Sequence, residues 1–420
     1  MRVAFLVHFF PPDGGAGAQR PASFARYLPA SGIDTVFFSR AIAPADRSFF
    51  DPADPSLLPW IASARVERSP WSSTRAREWE SSTARAVEAE HARRPFAVLA
   101  ATCPPFELAP FAVALAQRLG IPALVDLRDP WALDGVRVFA HRGALRREQA
   151  VMRETLMGAR HVVGNTPQAQ IALRAFLGAT GPTVSCVTNG FETEDFQQFE
   201  PKVRGDGPIR LHFSGHFLAK NLLGVAAWKE RIRILLGGRA ERIRAAGRGP
   251  GPLVKAMERL EQLDPALFAR LEVHIAGKQQ AAAQEIVKRS RVASKFQFHG
   301  EVSHAASLDL LHQADLLFLP LHGVGVGARS LIVPGKSYEY FAARRPIVAA
   351  LPPGDARDFV NLLQAGSVAD PCDAREICDA IRDAAQMELP ELPPAQLGGF
   401  SRASIAAQFA QCLRMAGESG

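Results

Sequence analysis

The sequence predicts an α/β fold made of two doubly wound parallel-sheet domains. Three observations point to it. Short apolar runs alternate with longer amphipathic stretches along the whole chain. The runs are continuously apolar, as in strands covered by helices on both faces. The chain has 420 residues, more than one hydrophobic core usually supports.

The first series of strand-like runs is Arg2–Val7, Thr35–Phe38, Ala97–Ala101, Ala123–Val125, His161–Val163 and Val184–Val187. The second is Ile209–Phe213, Leu271–Ile275, Phe296–Phe298, Leu316–Leu319 and Ile347–Ala349. Helices are expected between them, at Pro21–Leu28, Ala109–Leu119, Thr166–Phe176, Ser307–Gln313 and Ala374–Ala385. Asn189–Pro208 carries Gly190, Pro201, Gly205, Gly207 and Pro208 and reads as the hinge. The expected domains are residues 1–200 and 208–400. A last helix at 401–420 has no strand after it and is expected to pack back on the first domain.

Hydrophobic residues make up 47% of the chain and charged residues 22%, which excludes a disordered protein. No apolar run approaches the roughly 20 residues that span a bilayer. Val3–Phe10 is apolar but runs straight into Pro11-Pro12, without a charged leader or a cleavage site. It reads as a buried strand and not as a signal peptide. Cys103, Cys186, Cys372, Cys378 and Cys412 are odd in number and share no CxxC spacing, so neither a disulfide framework nor a zinc site is indicated. A reducing cytoplasm is the expected compartment. The net charge of +7 suits an anionic partner or an Arg-rich background equally. Basic residues do not alternate with aromatics in any nucleic-acid module, so nucleic acid is not expected as a partner.

Four stretches carry chemistry. After the first strand comes His8-Phe-Phe-Pro-Pro-Asp-Gly-Gly-Ala-Gly-Ala-Gln-Arg20. Gly15 and Gly17 let backbone N–H groups approach a ligand, and Pro21 suits the first turn of the next helix. A helix start attracts anions. Asp126-Leu-Arg-Asp-Pro-Trp131 follows an apolar run. It places Asp126, Arg128, Asp129 and Trp131 at a strand's carboxyl end, where open α/β sheets bind ligands. An Asp–Arg pair bracing the loop is the structural alternative. In the second series, Ser214-Gly215-His216 closes a strand run with Lys220 close behind, a pairing suited to a diphosphate.

Pro334-Gly-Lys-Ser-Tyr-Glu-Tyr-Phe-Ala-Ala-Arg-Arg-Pro346 is the most informative stretch. Gly335 opens a helix whose free amides, with Lys336, can meet a phosphate. Glu339, one turn in, can accept both hydroxyls of a ribose. Upstream, Gly323–Ser330 is Gly-rich and could border a sugar. Between the two motif groups lies Trp228–Pro252, dense in arginine. Its first part reads as an amphipathic helix with Ile232, Leu235 and Leu236 on one side. A solvated helix and a contact surface for anionic lipid or a lipid-diphosphate acceptor are both open readings there.

In their shared order these motifs resemble the retaining GT-B glycosyltransferases, in particular family four and its polysaccharide-assembly branch. His8–Arg20 looks like that family's first-strand loop. Ala101–Pro105 and Asp126–Trp131 look like its acceptor-side segments. Thr188-Asn-Gly-Phe191 matches its turn before the hinge, Phe298–Val302 its base-contacting loop, and Pro334–Pro346 its ribose-binding helix. Many relatives carry a second glutamate eight positions before the ribose-binding one. Here position 331 is Leu, and the amides around Gly335 and Lys336 are the expected substitutes.

The resemblance implies two Rossmann-like domains facing a central cleft, the first on the acceptor side and the second binding a nucleotide sugar. It implies transfer of a hexose-like sugar from a nucleoside diphosphate sugar with retention, in polysaccharide or glycolipid assembly. No cofactor or metal is implied. The acceptor side would comprise His8, Arg20, Asp126, Arg128 and Trp131. The donor would be held by Gly15, Gly17, Gly215, Lys220, Phe298, Gly335, Lys336 and Glu339. Asp129 and Lys220 would be the catalytic pair. The expected partners are the nucleotide sugar and an acceptor that is a glycan, a lipid-linked glycan or a small molecule. The expected location is the cytoplasm, with a peripheral contact at the inner face of the membrane. A glycosyltransferase of a small natural product, a sugar-nucleotide epimerase or hydrolase on the same fold, and a non-catalytic partner subunit favoured by Leu331 are the alternatives.

Overall fold

A computed structural model of the chain describes residues 1–41, 53–71, 76–197, 205–218, 227–388 and 397–418. Lys220 therefore lies outside the described residues. The chain forms two compact units. The first comprises Met1–Leu133, Arg147–Gly190 and Gly399–Gly420, and the second Asp134–Arg146 with Phe191–Gly398.

The first unit is built on a seven-stranded parallel sheet. Its strands are β1 (Arg2–Val7), β2 (Asp34–Ala41), β3 (Arg65–Pro70), β4 (Val98–Cys103), β5 (Ala123–Leu127), β6 (His161–Gly164) and β7 (Thr183–Cys186). They lie in the order β3-β2-β1-β4-β5-β6-β7. Every residue of β1 and β4 is buried, as the continuous apolar runs demand. The order reverses at β1, which pairs with β2 on one side and β4 on the other. The loops leaving β1, β4 and β5 thus meet at a switch point, where such sheets bind ligands.

The helices of this unit are α1 (Ala16–Tyr27), α2 (Ala76–Arg93), α3 (Leu108–Leu119), α4 (Arg142–Met157), which enters it at Arg147, and α5 (Pro167–Leu177). α1 begins five residues before Pro21, which lies inside it. The start is moved because Gly15, at φ 74°, makes the turn and its carbonyl accepts from Ala18 and Gln19. The C-terminal helix (Arg402–Gly417) belongs to this unit. Its Phe409 stacks on Phe24 at 4.2 Å and on Phe5 at 5.7 Å, completing an aromatic core. Two strands escape the apolar pattern. β3 is an exposed edge strand with the polar sequence RVERSP, and the last strand of the second unit, Gly366–Ala369, is short and half-buried.

The second unit has a six-stranded parallel sheet. Its strands are β8 (Ile209–Ser214), β10 (Leu271–Ala276), β11 (Phe296–Gly300), β12 (Leu316–Pro320), β14 (Ile347–Ala350) and β15 (Gly366–Ala369), in the order β11-β10-β8-β12-β14-β15. Here the order reverses at β8. A separate antiparallel pair joins β9 (Ile243–Arg244) to β13 (Gly323–Val324). The helices are α6 (Ala227–Leu235), α7 (Gly251–Leu263), α8 (Pro265–Arg270), α9 (Ala281–Lys288), α10 (His304–Gln313), α11 (Lys336–Ala343), α12 (Asp355–Leu362) and α13 (Ala374–Gln386), and the C-terminal helix is α14. Phe213, Phe217 and Phe318 form the centre of the core. No helix of the described residues is long and apolar enough to cross a membrane.

Candidate functional site

The second unit gathers its functional side chains at the carboxyl end of β8. Ser214 ends the strand, and Gly215 follows at φ 129°, a conformation that L side chains rarely adopt. Gly215 N donates to the Ala276 carbonyl at 2.8 Å. A Cβ on Gly277, at the end of β10, would lie 2.6 Å from Gly215 O, so the two strand ends touch as bare backbone. Gln279 staples this turn: its Nε2 donates to Gly215 O at 2.6 Å and Gly277 O at 2.9 Å, while its Oε1 accepts from Phe217 N at 2.9 Å.

Helix α11 docks on this strand end through two side chains, Lys336 and Tyr340. Lys336 Nζ donates to Ser214 O at 2.8 Å, and Ser214 N donates to Tyr340 Oη at 2.9 Å. Lys336 and Tyr340 are four residues apart, hence on one face of the helix. Together they satisfy both backbone groups of Ser214. Lys336 also lies 3.7 Å above the Phe213 ring, and its Nζ would be 3.1 Å from any Cβ at position 215. Gly335 caps the helix without a side-chain hydrogen bond, and Glu339 stands in the first turn, half-buried.

Buried basic side chains crowd this corner around Arg248. Burial, then the charge of Arg248, hold Lys336 well below its usual range, while Glu339 pulls the other way. Burial, Arg248 and Lys336 push His216 down to about 4. His322 falls to about 4, by burial and then by Arg248 and Arg239. Arg248 acts on all three, so its guanidinium brings positive charge to this corner, while the two histidines are neutral near pH 7. Above α11, the Gly-rich stretch at 323–330 is anchored at its start by pairing with β9, where Gly325 N donates to Arg242 O at 2.8 Å. At its end Ser330 bridges to Gly354, and Leu331 is half-buried.

Phe298 lies two strands from β8. It lies on the edge strand β11 and packs against the core of the second unit. Arg248, Gln279 and Tyr340 were not marked by the sequence reading. Tyr340 could have been found from its i, i+4 spacing to Lys336. Nothing distinguishes Arg248 from the arginines around it except Gly249-Pro250 just after it.

In the first unit the predicted acceptor-side residues divide into two groups. Arg20 and Asp126 face each other in the interior, 5% and 0% exposed. Arg20 Nε and Nη2 reach the two carboxylate oxygens at 2.9 and 2.8 Å, and Thr102 Oγ1 donates to the same carboxylate at 2.8 Å. Arg20 also donates to the carbonyls of Val187 at 3.0 Å and Thr188 at 2.7 Å. This pair ties α1, β5 and the exit of β7 together, and the hydrogen bonds of both groups are spent within the protein. Trp131 is likewise interior: at φ 53° it stacks on Phe106 at 5.3 Å and donates Nε1–H to Glu148 at 2.7 Å.

The other group lines the switch point. Arg128 Nη2 donates to Pro104 O at 2.6 Å, and a Cβ on Gly17 would come within 2.9 Å of Arg128 Nη1. The guanidinium therefore rests on the first turn of α1, and a side chain at position 17 would displace it. Burial lowers the Arg128 pKa, and neighbouring Asp129 opposes this first, then Asp126. His8 is buried among Phe9, Trp71 and Trp79, edge-on to each. Arg40, unmarked in the sequence, is sandwiched between Phe9 at 4.7 Å and Trp71 at 4.9 Å, with Asp13 at 3.4 Å. Among the described residues no three His, Cys, Asp or Glu side chains gather into a metal-holding group.

Two family models match in tandem. The model described as glycosyl transferase 4-like domain matches residues 14–190, and that described as glycosyl transferases group 1 matches residues 233–387. No curated protein matches the sequence at a significant level. Solved structures match over nearly the full length of both chains. The lipopolysaccharide outer core galactosyltransferase WaaB is 12% identical with a TM-score of 0.62, covering 99% of each chain. HepE of Anabaena in complex with UDP-glucose is 13% identical with a TM-score of 0.61, covering 99% of each. Sucrose-phosphate synthase from Thermosynechococcus elongatus is 15% identical with a TM-score of 0.57, covering 98% of each. With two parallel-sheet units, each matched by its own domain model, and full-length likeness to GT-B structures, the chain belongs to the group 1 glycosyltransferases of the GT-B fold.

Proposed function

We propose that the protein transfers a hexose-like sugar from a nucleoside diphosphate sugar to an acceptor hydroxyl with retention, in the assembly of a polysaccharide or glycolipid. The observation that carries this reading is the corner at the end of β8, where the Arg248 guanidinium, Lys336 and the first turn of α11 converge. Positive groups fixed in advance around a departing diphosphate stabilise the charge it gains, without reorganisation during the reaction. Glu339 accepts the ribose hydroxyls. The leaving phosphate takes the proton of the attacking hydroxyl on the same face of the sugar, so no protein nucleophile is needed. The amides at Gly335 and Lys336 stand in for the carboxylate that Leu331 replaces.

In the first unit, the bare turn Gly15–Gly17 under Arg128 offers a second place for an anionic group of a substrate. Asp129, adjacent to that guanidinium, is assigned to orienting the acceptor hydroxyl. Lys220 remains assigned to the diphosphate on its sequence position alone.

A thermal-shift screen of UDP-, GDP-, TDP- and CMP-sugars tests the donor class. One nucleotide raises the melting temperature more than the others if the reading holds. A flat response to all would favour a non-catalytic subunit. The anomeric configuration of the product, read by NMR, tests retention. Rapid conversion of donor to an epimer without acceptor would replace the transferase mechanism with epimerisation.

A further inference from the structure

Helix α6 is amphipathic the wrong way round for a helix that covers a core. Trp228, Ile232, Leu235 and Leu236 recur at i, i+4, i+7 and i+8, the spacing of one helical face. That face looks outward: the four are 60%, 45%, 85% and 56% exposed. Isolated exposed apolar residues need no explanation, but a contiguous stripe of this size marks an interaction surface.

The stripe is flanked by cations. Lys229 and Arg231 are exposed and Arg233 is half-buried. Lys229 Nζ stands 5.5 Å over the Trp228 ring. The helix's own acid, Glu230, is taken up by Arg239 at 2.9 Å.

The end of α6 is fixed to the excursion Asp134–Arg146. Arg142 N donates to Leu236 O at 2.8 Å and Phe139 N to Gly238 O at 2.7 Å. A Cβ on Gly238 would lie 2.1 Å from Phe139 O, so the chains meet there as backbone. The excursion adds exposed Arg142 and Arg146 to the same neighbourhood. Its acid, Asp134, is buried and accepts from Val136 N at 2.8 Å. Glu230 and Asp134 are thus engaged, while Lys229, Arg231, Arg142 and Arg146 are exposed.

We propose that α6, with the excursion Asp134–Arg146 against it, is a docking surface for an anionic lipid bilayer. The apolar stripe enters the boundary between headgroups and acyl chains, Trp228 settles at the headgroup level, and the flanking cations pair with lipid phosphates. A protein partner would have to match an apolar strip flanked by Lys229, Arg231 and Arg142. A bilayer with anionic headgroups presents that complement without a specific fit. This docking is a property of the surface alone and goes beyond the proposed reaction.

The full chain is mixed with phosphatidylcholine vesicles containing or lacking phosphatidylglycerol, with no nucleotide sugar or acceptor present, and sedimented. Failure of the transferase reading therefore leaves the result unaffected. Co-sedimentation is expected with the anionic vesicles, weakening as salt is raised, with a blue shift of Trp228 emission that Trp228→Phe removes. The charge reversal Lys229→Glu/Arg231→Glu/Arg233→Glu and, separately, Ile232→Ser/Leu235→Ser are each expected to lower vesicle affinity about tenfold or more, with the melting temperature unchanged. No binding to anionic vesicles, equal binding to neutral ones, or wild-type binding by both variants would overturn the proposal. So would a dimer by light scattering without lipid that Leu235→Ser abolishes, since a second copy would then be the occupant.

Discussion

Ser214 shows how much one backbone unit can fix. Its N–H and C=O are both taken by α11, and that alone sets where Lys336 stands relative to β8. Tyr340→Phe leaves the N–H without its acceptor and is expected to cost about 1–3 kcal/mol, read as a lower denaturation midpoint. An unchanged midpoint would mean that Tyr340 does not anchor the helix. Asp129 is a different kind of residue, half-buried and acting beside Arg128. Asp129→Asn is expected to lower turnover about 100-fold while donor affinity stays near wild type. Near-normal turnover removes it from the reaction. The sequence placed Lys336, Glu339 and Gly335 on one helix start because helix signals are local. It could not reveal that Arg20 and Asp126 answer each other across 106 residues, since nothing in the spacing records a long-range pair.

At the scale of elements, the central strands were legible because burial on both faces demands unbroken apolar runs. β3 and β15 were not, since an edge strand half in solvent reads like a loop. The start of α1 was displaced for a similar reason: Pro21 gives a strong local signal, while Gly15 gives the actual turn. The excursion Asp134–Arg146 carries no periodicity that assigns it to the second unit, because its attachment is made by backbone hydrogen bonds to Leu236 and Gly238. The Arg20–Asp126 pair is what fastens α1 to β5. Arg20→Ala leaves a buried carboxylate with its cation removed and is expected to cost about 3–5 kcal/mol, visible in chemical denaturation. A loss under about 1 kcal/mol would show that solvent reaches the pair.

At the scale of the whole molecule, buried neutral histidines in both units make stability depend on pH. Burial lowers His161 to about 4, His212 to about 3 and His322 to about 4. Between those values and the ordinary 6.5, the unfolded chain binds more protons than the folded one. Stability therefore rises with pH from about 4 to about 6.5 and is lost as the solution is acidified through that window. Melting temperatures from pH 7 down to 4.5 are expected to fall, and His212→Asn is expected to flatten the slope. A flat profile in the wild type would contradict the burial of these rings.

The corner formed by β8 and α11 is the proposed grip on the nucleoside diphosphate sugar. Calorimetric titration of wild type and Glu339→Ala with the nucleotide sugar selected by thermal shift tests it most directly. Saturable binding is expected for the wild type, with affinity about tenfold weaker or more in the variant, whose melting temperature stays near wild type. Equal affinity in the two proteins would contradict it.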